Sequence, residues 1–402
     1  MMKAAGSAPW SDLQPELLGL VLRRLHFLAD RVRLRAVCRP WRYNARLHTL
    51  PPPLPWLTLL DGTFLSIPGG EIIRMPVPDD ACCHGSLDGW LFLMQSDGRC
   101  SLMNPFSKAK VDLPKLATVW PREPLNANST HNPLFYKLVV ASPLDSASPN
   151  SLFAALIFDD GGYTTVCVFQ SPIARDYFLR GRFVDFVDVV FFGGKLYGVA
   201  PDGRLSIVEM SYGLSGEPKI SSIECIIKWN SVGYLLPTLS KEKSYIFKET
   251  FQKKKKIFKE YLVECCGRLL TVTRLIEIAV PRATADDFFK LHRTVAFDVF
   301  EADLSTKPAQ WRRVNKLDGQ ALFVGKHCSK SFPAGDCSGI HEDCIYFMCD
   351  CPPIFSADPS RDSGVYNMKT GIITPLLLET ATVQRPHGGQ WRPAWFFPAD
   401  VV

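Results

Sequence analysis

The chain has 402 residues, of which 47% are hydrophobic and 21% charged, and this balance excludes an intrinsically disordered protein. Its net charge of +6 comes from the N-terminal end. Residues 1–50 hold nine of the 46 basic and three of the 40 acidic side chains, which leaves 37 of each in residues 51–402. The long remainder is therefore neutral, and its charge gives no reason to expect nucleic-acid binding.

The thirteen cysteines are odd in number, so they cannot all pair in disulfides. No apolar signal-peptide core lies near Met1, and no apolar run approaches the eighteen or so residues that cross a bilayer. These observations predict a cytoplasmic or nuclear chain with reduced thiols and no membrane partner.

Residues 10–50 carry helical periodicity and differ in composition from everything that follows. The apolar positions of the first helix repeat at the 3.6-residue period, and Pro15 suits its first turn. A second apolar stripe runs from Leu34 to Trp41, with Asp30 as its expected cap, and Pro40 is expected to open a short third helix. A Pro-rich linker at 51–56 then ends the helical region. So small a domain cannot bury both stripes by itself, so part of its apolar surface must meet another surface.

The helical region resembles an F-box, most specifically in the run Val-Cys-Arg-Pro-Trp-Arg at 37–42. The residues that carry the resemblance are Leu13, Pro15, Glu16, Leu17, Leu18, Leu22, Leu25, Asp30, Arg33, Val37, Cys38, Arg39, Trp41 and Arg42. One departure is visible, because Gln14 splits the usual Leu-Pro pair. The resemblance implies docking to a Skp-type adaptor, and through it to cullin, in an SCF-type ubiquitin ligase. The adaptor-binding residues it implies are Leu13, Pro15, Leu17, Leu18, Val21, Leu22, Leu25, Leu34, Val37, Cys38 and Trp41.

An all-β domain is predicted for residues 57–398, because patterns typical of short strands and of Gly- or Asp-containing turns recur there with little helix between them. Hairpins are predicted around Pro68-Gly69-Gly70 and around Gly193-Gly194. The recurrence favours a β-propeller of six to eight blades, with seven favoured at about fifty residues per blade. A pair of β-sandwich or barrel domains is the alternative. The aromatic tail at 391–398 is expected to complete the first blade and close the ring.

The β-domain also resembles the C-terminal half of a plant F-box family, assigned as a KIB-type β-propeller. The segments that carry this resemblance are Gly85–Leu93, Asn104–Ser107, Leu113–Pro114, Trp311, Leu322–Gly325, Asp343–Phe347 and Trp395–Pro398.

The sequence shows no pattern typical of a zinc, phosphate-binding or hydrolase site. The clusters Cys82-Cys83-His84, Cys265-Cys266 and Cys344–Cys351 lack the paired spacing of a zinc site, so they are interpreted as free thiols. The Gly pairs are not followed by Lys-Ser/Thr and a helix, and no Gly-x-Ser-x-Gly motif occurs. The prediction is a chain with no catalytic residues, no metal and no cofactor.

The run from Lys253 to Lys256 is the sharpest charge feature of the β-domain. It is interpreted as a solvated hairpin tip, with a nuclear localisation patch or a polyanion contact as the alternatives.

These observations together predict an F-box substrate receptor whose head binds the adaptor and whose propeller binds an unknown target protein. The competing hypothesis is a stand-alone binding propeller with a degenerate F-box. The two differ in whether the surfaces around Leu17/Leu18 and Val37/Trp41 are exposed or packed on the propeller.

Overall fold

A computed structural model describes the chain from residue 10 to residue 398 with ten gaps longer than one residue. The gaps are 59–62, 117–132, 145–150, 160–163, 171–180, 229–253, 280–291, 336–339, 350–361 and 378–392, and the single positions 49, 51, 68, 76, 79, 88, 143 and 215 are also left out. Within the described part of the chain, no helix is both long and apolar enough to cross a membrane.

The N-terminal head, residues 10–50, contains a 3-10 turn and three α-helices among its described residues. Their bounds are Trp10–Asp12 for the turn, Pro15–Arg24 for α1, Leu28–Ala36 for α2 and Arg39–Ala45 for α3. Prolines open α1 and α3, where a missing N–H has no helical partner to lose. The second helix begins before the predicted Asp30 cap, because Phe27 is the capping residue and Asp30 lies inside the first turn.

A small core of Leu18, Leu22 and Ala45 joins α1 to α3, and Leu34 of α2 packs against it. Gly19 lets them approach closely, because a Cβ at this position would lie 2.6 Å from the ring of His48. The Nε2 atom of His48 lies 2.7 Å from the Pro15 carbonyl oxygen, within hydrogen-bond distance. The glycine therefore costs some helix propensity but permits the contact between α1 and the end of the head.

The described strands of the β-domain form six sheets arranged as the blades of a β-propeller. Blade 1 contains β1 (Trp56–Thr58), β2 (Thr63–Ser66), β3 (Ile72–Arg74) and, from the far end of the chain, β25 (Ala394–Phe396). Blade 2 contains β4 (Ala81–Leu87), β5 (Trp90–Gln95), β6 (Cys100–Met103) and β7 (Lys110–Leu113). Blade 3 contains β8 (Pro133–Val140), β9 (Leu152–Asp159), β10 (Thr164–Gln170) and β11 (Arg182–Val184).

Blade 4 contains β12 (Asp188–Phe192), β13 (Lys195–Val199), β14 (Leu205–Tyr212) and β15 (Pro218–Ile227). Blade 5 contains β16 (Lys254–Cys265), β17 (Arg268–Ala279), β18 (His292–Asp303) and β19 (Gln310–Arg313). Blade 6 contains β20 (Gln320–Val324), β21 (Lys330–Pro333), β22 (Cys344–Phe347), β23 (Gly364–Asn367) and β24 (Ile373–Thr374). In blade 6, β20 is inserted beside β22 and runs parallel to it.

The preference for seven blades was wrong, since the described strands make six. The strands explain the difference, because three strands of blade 5 are twelve residues long and blade 6 holds a fifth strand. Both blades use more chain than the fifty residues assumed for one blade. The hairpin predicted at Gly193-Gly194 is confirmed, and both glycines have the positive φ that a two-residue turn of this kind requires.

The ring is closed by the pairing of β25 with β1, in which Leu57 lies opposite Trp395 and Trp56 opposite Phe396. This confirms the expected role of the aromatic tail, although Trp391 and Arg392 lie outside the described residues. Because side chains alternate along a strand, Leu57 and Trp395 pack towards blade 6 while Trp56 and Phe396 pack towards blade 2. Four further apolar clusters join the remaining neighbouring blades of the described ring.

The two faces of the ring can be told apart by strand direction. In blades 1 to 5, four alternating strands return the chain to the face where the blade began, so the innermost strands of these blades all start at the same face. We call this the upper face and the opposite one the lower face. The backbone N–H of Leu262, the ninth residue of β16, donates to Asp188 Oδ2 at the start of β12, at 2.9 Å. The first half of β16 therefore extends beyond the upper face.

Candidate functional site

The head contacts the lower face of the propeller through the junction between α1 and α2. Leu28 is buried in the cluster that contains Trp56 and Phe396, and Phe27 packs against the cluster that contains Trp395. The His26 carbonyl oxygen accepts a hydrogen bond of 3.0 Å from the backbone N–H of Leu54. The junction therefore fixes the head on the propeller without using the apolar face of α1.

The predicted adaptor-binding residues divide into a buried set and an accessible set. Leu18 and Leu22 are fully buried in the head, so a partner cannot reach them unless the head opens. Four partly buried side chains pack against them: Leu13, Leu25, Leu34 and Trp41. Pro15 and Cys38 are half-buried, and Leu17, Val21 and Val37 are exposed. The structure thus assigns most of the predicted set to the head's own packing and leaves a smaller set for a partner.

The accessible apolar face of α1 consists of Leu17, Leu20 and Val21, at positions i, i+3 and i+4. These side chains are 47%, 54% and 44% exposed, which is high for three apolar residues on one helix face. Sequence reasoning missed Leu20, although its spacing from Leu17 could have indicated it. Further exposed apolar side chains of the head, also missed, are Trp10, Val32, Tyr43 and Leu47.

Arginine side chains account for the positive charge of the head, and two of them border the apolar face of α1. These two are Arg23 and Arg24, exposed in the last turn of α1, while Arg33, Arg39, Arg42 and Arg46 are exposed elsewhere in the head. Within the described head, Arg33 pairs with Asp30 at 2.9 Å. An apolar helix face with a basic border suits an acidic protein partner that also offers an apolar groove.

A buried ion pair joins innermost strands of neighbouring blades beside the channel of the propeller. Lys137 of β8 pairs with Asp188 of β12, and both side chains are almost fully buried. Asp188 also accepts hydrogen bonds from the backbone N–H groups of Val189 and Leu262, so one carboxylate links blades 3, 4 and 5. Burial raises the pKa of Asp188 above its ordinary value, and the Lys137 ammonium and these N–H groups oppose that rise.

A second buried ion pair links blades 5 and 6. Arg274 is fully buried, and its Nη2 atom lies 2.9 Å from Asp362 Oδ2. The same guanidinium donates to the Met348 carbonyl oxygen at 2.9 Å and from Nε to the Thr294 hydroxyl at 2.8 Å. Its carbon lies 4.7 Å from the centre of the Phe347 ring. Because these partners come from both blades, the network holds blades 5 and 6 together.

No metal centre is formed by the residues that the structure describes, since no three His, Cys, Asp or Glu side chains are placed to share an ion. Cys82 and Cys83 alternate along β4, so Cys83 is buried and Cys82 exposed. Cys265 is buried at the end of β16, and Cys266 is exposed in the turn that follows it. Cys351 lies outside the described residues. Lys254–Lys256 form the start of β16 instead of a hairpin tip, and Lys253 lies outside the described residues.

Thiol reactivity should follow burial in this chain. Burial raises the pKa of the Cys167 thiol to about 12 and that of Cys100 to about 11. Both thiols are therefore protonated at about pH 8, where alkylation requires the thiolate. We expect iodoacetamide to modify Cys82 and Cys266 long before Cys100 and Cys167, as measured by peptide mass spectrometry. Denatured chain is the control and should lose the difference; equal rates in the native protein would contradict the prediction.

The fold and the head together define a class of protein: a six-bladed β-propeller that carries a small three-helix head on its lower face. The chain belongs to the KIB1-4 beta-propeller family, whose model matches residues 64–367.

Relatives in Arabidopsis thaliana match the chain over most of its length. The F-box protein At2g26160 is 22% identical over 359 residues, covering 84% of this chain and 95% of the relative. The F-box protein SKIP23 is 21% identical over 410 residues, covering 90% of each. The putative F-box protein At1g65770 is 21% identical over 390 residues, covering 89% of this chain and 94% of the relative. The predicted resemblance to plant F-box proteins with a KIB-type propeller is therefore confirmed.

Proposed function

We propose that the chain is the substrate receptor of an SCF-type ubiquitin ligase. Its head binds a Skp-type adaptor and through it cullin, and its propeller binds a target protein. The chain supplies no reacting group of its own. It contributes proximity, by holding the target beside ubiquitin-transfer subunits in the cytoplasm or nucleus.

The exposed face of α1 is the single observation that carries this proposal. Leu17, Leu20 and Val21 remain accessible although the head is fixed to the propeller, because the fixing contact uses Phe27 and Leu28. A head that served only as a cap would be expected to turn its apolar face onto the propeller. The names of the relatives, all F-box proteins, support the same function.

The test is co-elution of the purified chain with a Skp-type adaptor on a sizing column. The double exchange Leu17→Asp/Leu20→Asp should abolish co-elution, because a carboxylate buried unpaired in an interface costs several kcal/mol. Ile372→Asp is the matched control, since Ile372 is similarly exposed but lies on the propeller. Leu18→Asp is unsuitable, since Leu18 is fully buried and its loss tests folding of the head.

Each result has a distinct meaning. Co-elution that survives in the wild type and in Ile372→Asp but fails in the double variant supports the receptor function. A folded wild-type chain that does not co-elute with the adaptor overturns it and favours a stand-alone binding propeller. The basic border of α1 provides a second readout. The rate at which the chain associates with the adaptor should fall as added salt screens the charge of these arginines.

A further inference from the structure

A cavity lies at the upper face, where residues of four blades come together at the mouth of the channel. We call it the channel-mouth cavity. Blades 3, 4 and 5 contribute most of its wall, and the segment that follows β20 of blade 6 contributes the rest. The residues that the argument uses are Phe158, Val187, Pro201, Phe258, Glu260 and Lys326.

The strand β16 forms one wall of this cavity with a single face. Side chains alternate along the strand, so Phe258, Glu260 and Leu262 share one face and Tyr261 lies on the other. Leu262 packs in the apolar cluster that joins blade 5 to blade 4, whereas Tyr261 packs in the cluster that joins blade 5 to blade 6. Phe258 and Glu260 therefore face blade 4, which supplies the opposite wall.

The size of the cavity limits its occupant to a single ring. Its volume is about 160 Å³, below the several hundred Å³ of a pocket for a cofactor or a drug-sized ligand. An apolar cavity of about 150 Å³ holds one benzene molecule. The apolar side chains of Phe158, Val187, Pro201 and Phe258 line this one, and they offer a phenyl ring both aromatic and aliphatic contacts.

The two carboxylates of the lining already have partners within the protein. Asp188 pairs with Lys137. The Oε2 atom of the buried Glu260 accepts hydrogen bonds from the hydroxyls of Thr271 and Thr273, at 3.2 and 2.8 Å. A cationic ligand would therefore have to compete with groups that the fold holds in place.

The two lysines of the lining are also engaged. The Lys326 ammonium nitrogen lies 4.1 Å from the centre of the Phe158 ring, and both Lys326 and Lys259 interact with further groups. An anionic ligand would therefore gain little from them while losing its own water. Since a charge that enters a cavity without a new partner is costly, the lining favours a ligand with no net charge.

Phe258 gives such a ligand a reason to bind. Its side chain is 43% exposed, although it lies on the face of β16 that lines the cavity. A ring that enters the cavity covers this apolar surface and removes it from water.

We infer that the channel-mouth cavity binds one uncharged aromatic ring. The ring can belong to a free small molecule or to a phenylalanine or tyrosine side chain of another protein, and the chemistry of the contact is the same. The inference does not depend on the proposed function, because it uses no residue of the head.

Three benzyl compounds that differ in charge test the inference on the full chain at pH 7. They are benzyl alcohol, benzoate and benzylammonium, and ligand-observed NMR titration measures their binding. We expect benzyl alcohol to bind with a Kd of about 1 mM, a range suited to so small a ligand. Benzoate and benzylammonium should each bind at least about tenfold more weakly, because their charges lose water without gaining a partner.

Matched variants locate the binding. Phe258→Ala removes one wall and should weaken binding of benzyl alcohol by about tenfold or more. Phe183→Ala is its control, because Phe183 is similarly exposed on the outer strand of blade 3. Pro201→Trp should abolish binding by placing an indole in the cavity, and Ile372→Trp is its control, since Ile372 lies beside the outer strand β24 of blade 6. Both controls should bind as the wild type does.

A second comparison distinguishes the two sources of the ring. N-acetylphenylalanine amide carries the ring on a peptide backbone, and N-acetylalanine amide lacks the ring. If the phenylalanine compound binds at least as tightly as benzyl alcohol and the alanine compound does not bind, the cavity accepts a side chain of another protein. If benzyl alcohol binds and the phenylalanine compound does not, the ligand is a free small molecule. Either result supports an aromatic-ring site.

Three results would overturn the inference. The first is no binding of benzyl alcohol at about 20 mM, which would mean that the cavity holds water instead. The second is equal binding of the three benzyl compounds. The third is binding that survives unchanged in both Phe258→Ala and Pro201→Trp. Loss of the adaptor in the Leu17→Asp/Leu20→Asp variant should leave ring binding intact, so failure of the ligase function and failure of this inference are separate results.

Discussion

Trp395→Ala should destabilise the propeller more than any exchange on its surface. The indole is fully buried between blades 1 and 6, packs edge-on against Phe323 with ring centres 4.9 Å apart, and donates from Nε1 to the Val324 carbonyl oxygen at 2.9 Å. Truncation leaves a cavity and an unsatisfied carbonyl group, for an expected loss of about 3–5 kcal/mol in the free energy of unfolding. Urea denaturation followed by circular dichroism measures it.

Two further substitutions provide the comparison, one with a smaller expected loss and one with none. Trp395→Phe keeps most of the ring and loses only the hydrogen bond, so it should cost about 1–3 kcal/mol. Trp10→Ala removes an exposed indole from the head and should leave propeller stability unchanged. If Trp395→Ala were as stable as Trp10→Ala, the closing strand would not hold the ring together.

Arg274→Met should produce the second large loss. Methionine fills much of the volume but leaves Asp362 buried without its cation, and breaking a buried ion pair in this way costs about 3–5 kcal/mol. The contact with Phe347 is lost as well. The measurement is again the urea midpoint and slope, which report whether the stability or the cooperativity of unfolding has changed.

An exposed pair provides the comparison for Arg274. Arg99 lies 2.6 Å from Asp97, and both side chains are about half exposed, so Arg99→Met should leave stability almost unchanged. Asp362→Asn should also be costly, because it leaves the Arg274 guanidinium buried without a counter-charge. An Arg274→Met chain as stable as Arg99→Met would mean that the network contributes nothing to joining blades 5 and 6.

Local patterns predicted the head well, because helix periodicity and proline positions act over a few residues. All three helices were predicted, and the errors lie at their ends. The pattern could not separate Leu18 from Leu17, since both fall on the apolar side of α1. Which of them faces the head core depends on where α3 and His48 pack, and that is a tertiary contact.

The blade count could not be predicted from length. A hairpin can be recognised from its turn, but the strand that joins β1 comes from more than 330 residues further along the chain. The insertion of β20 beside β22 could not be predicted either, because the parallel pairing of these two strands has no local sequence pattern. The channel-mouth cavity was missed for the same reason: its residues are scattered from Phe158 to Lys326 and meet only when the ring closes.

The position of β25 has a consequence for the order in which the protein is made. The head emerges from the ribosome first, but Leu28 is buried in the cluster that contains Phe396, which emerges at the very end of the propeller sequence. At about 5–20 residues per second, the helices wait tens of seconds for that last member of the cluster. A nascent chain that has not yet released Phe396 can form neither the closed ring nor the complete cluster in which Leu28 is buried. Closure of the propeller and final docking of the head are therefore coupled in the biosynthesis of this protein.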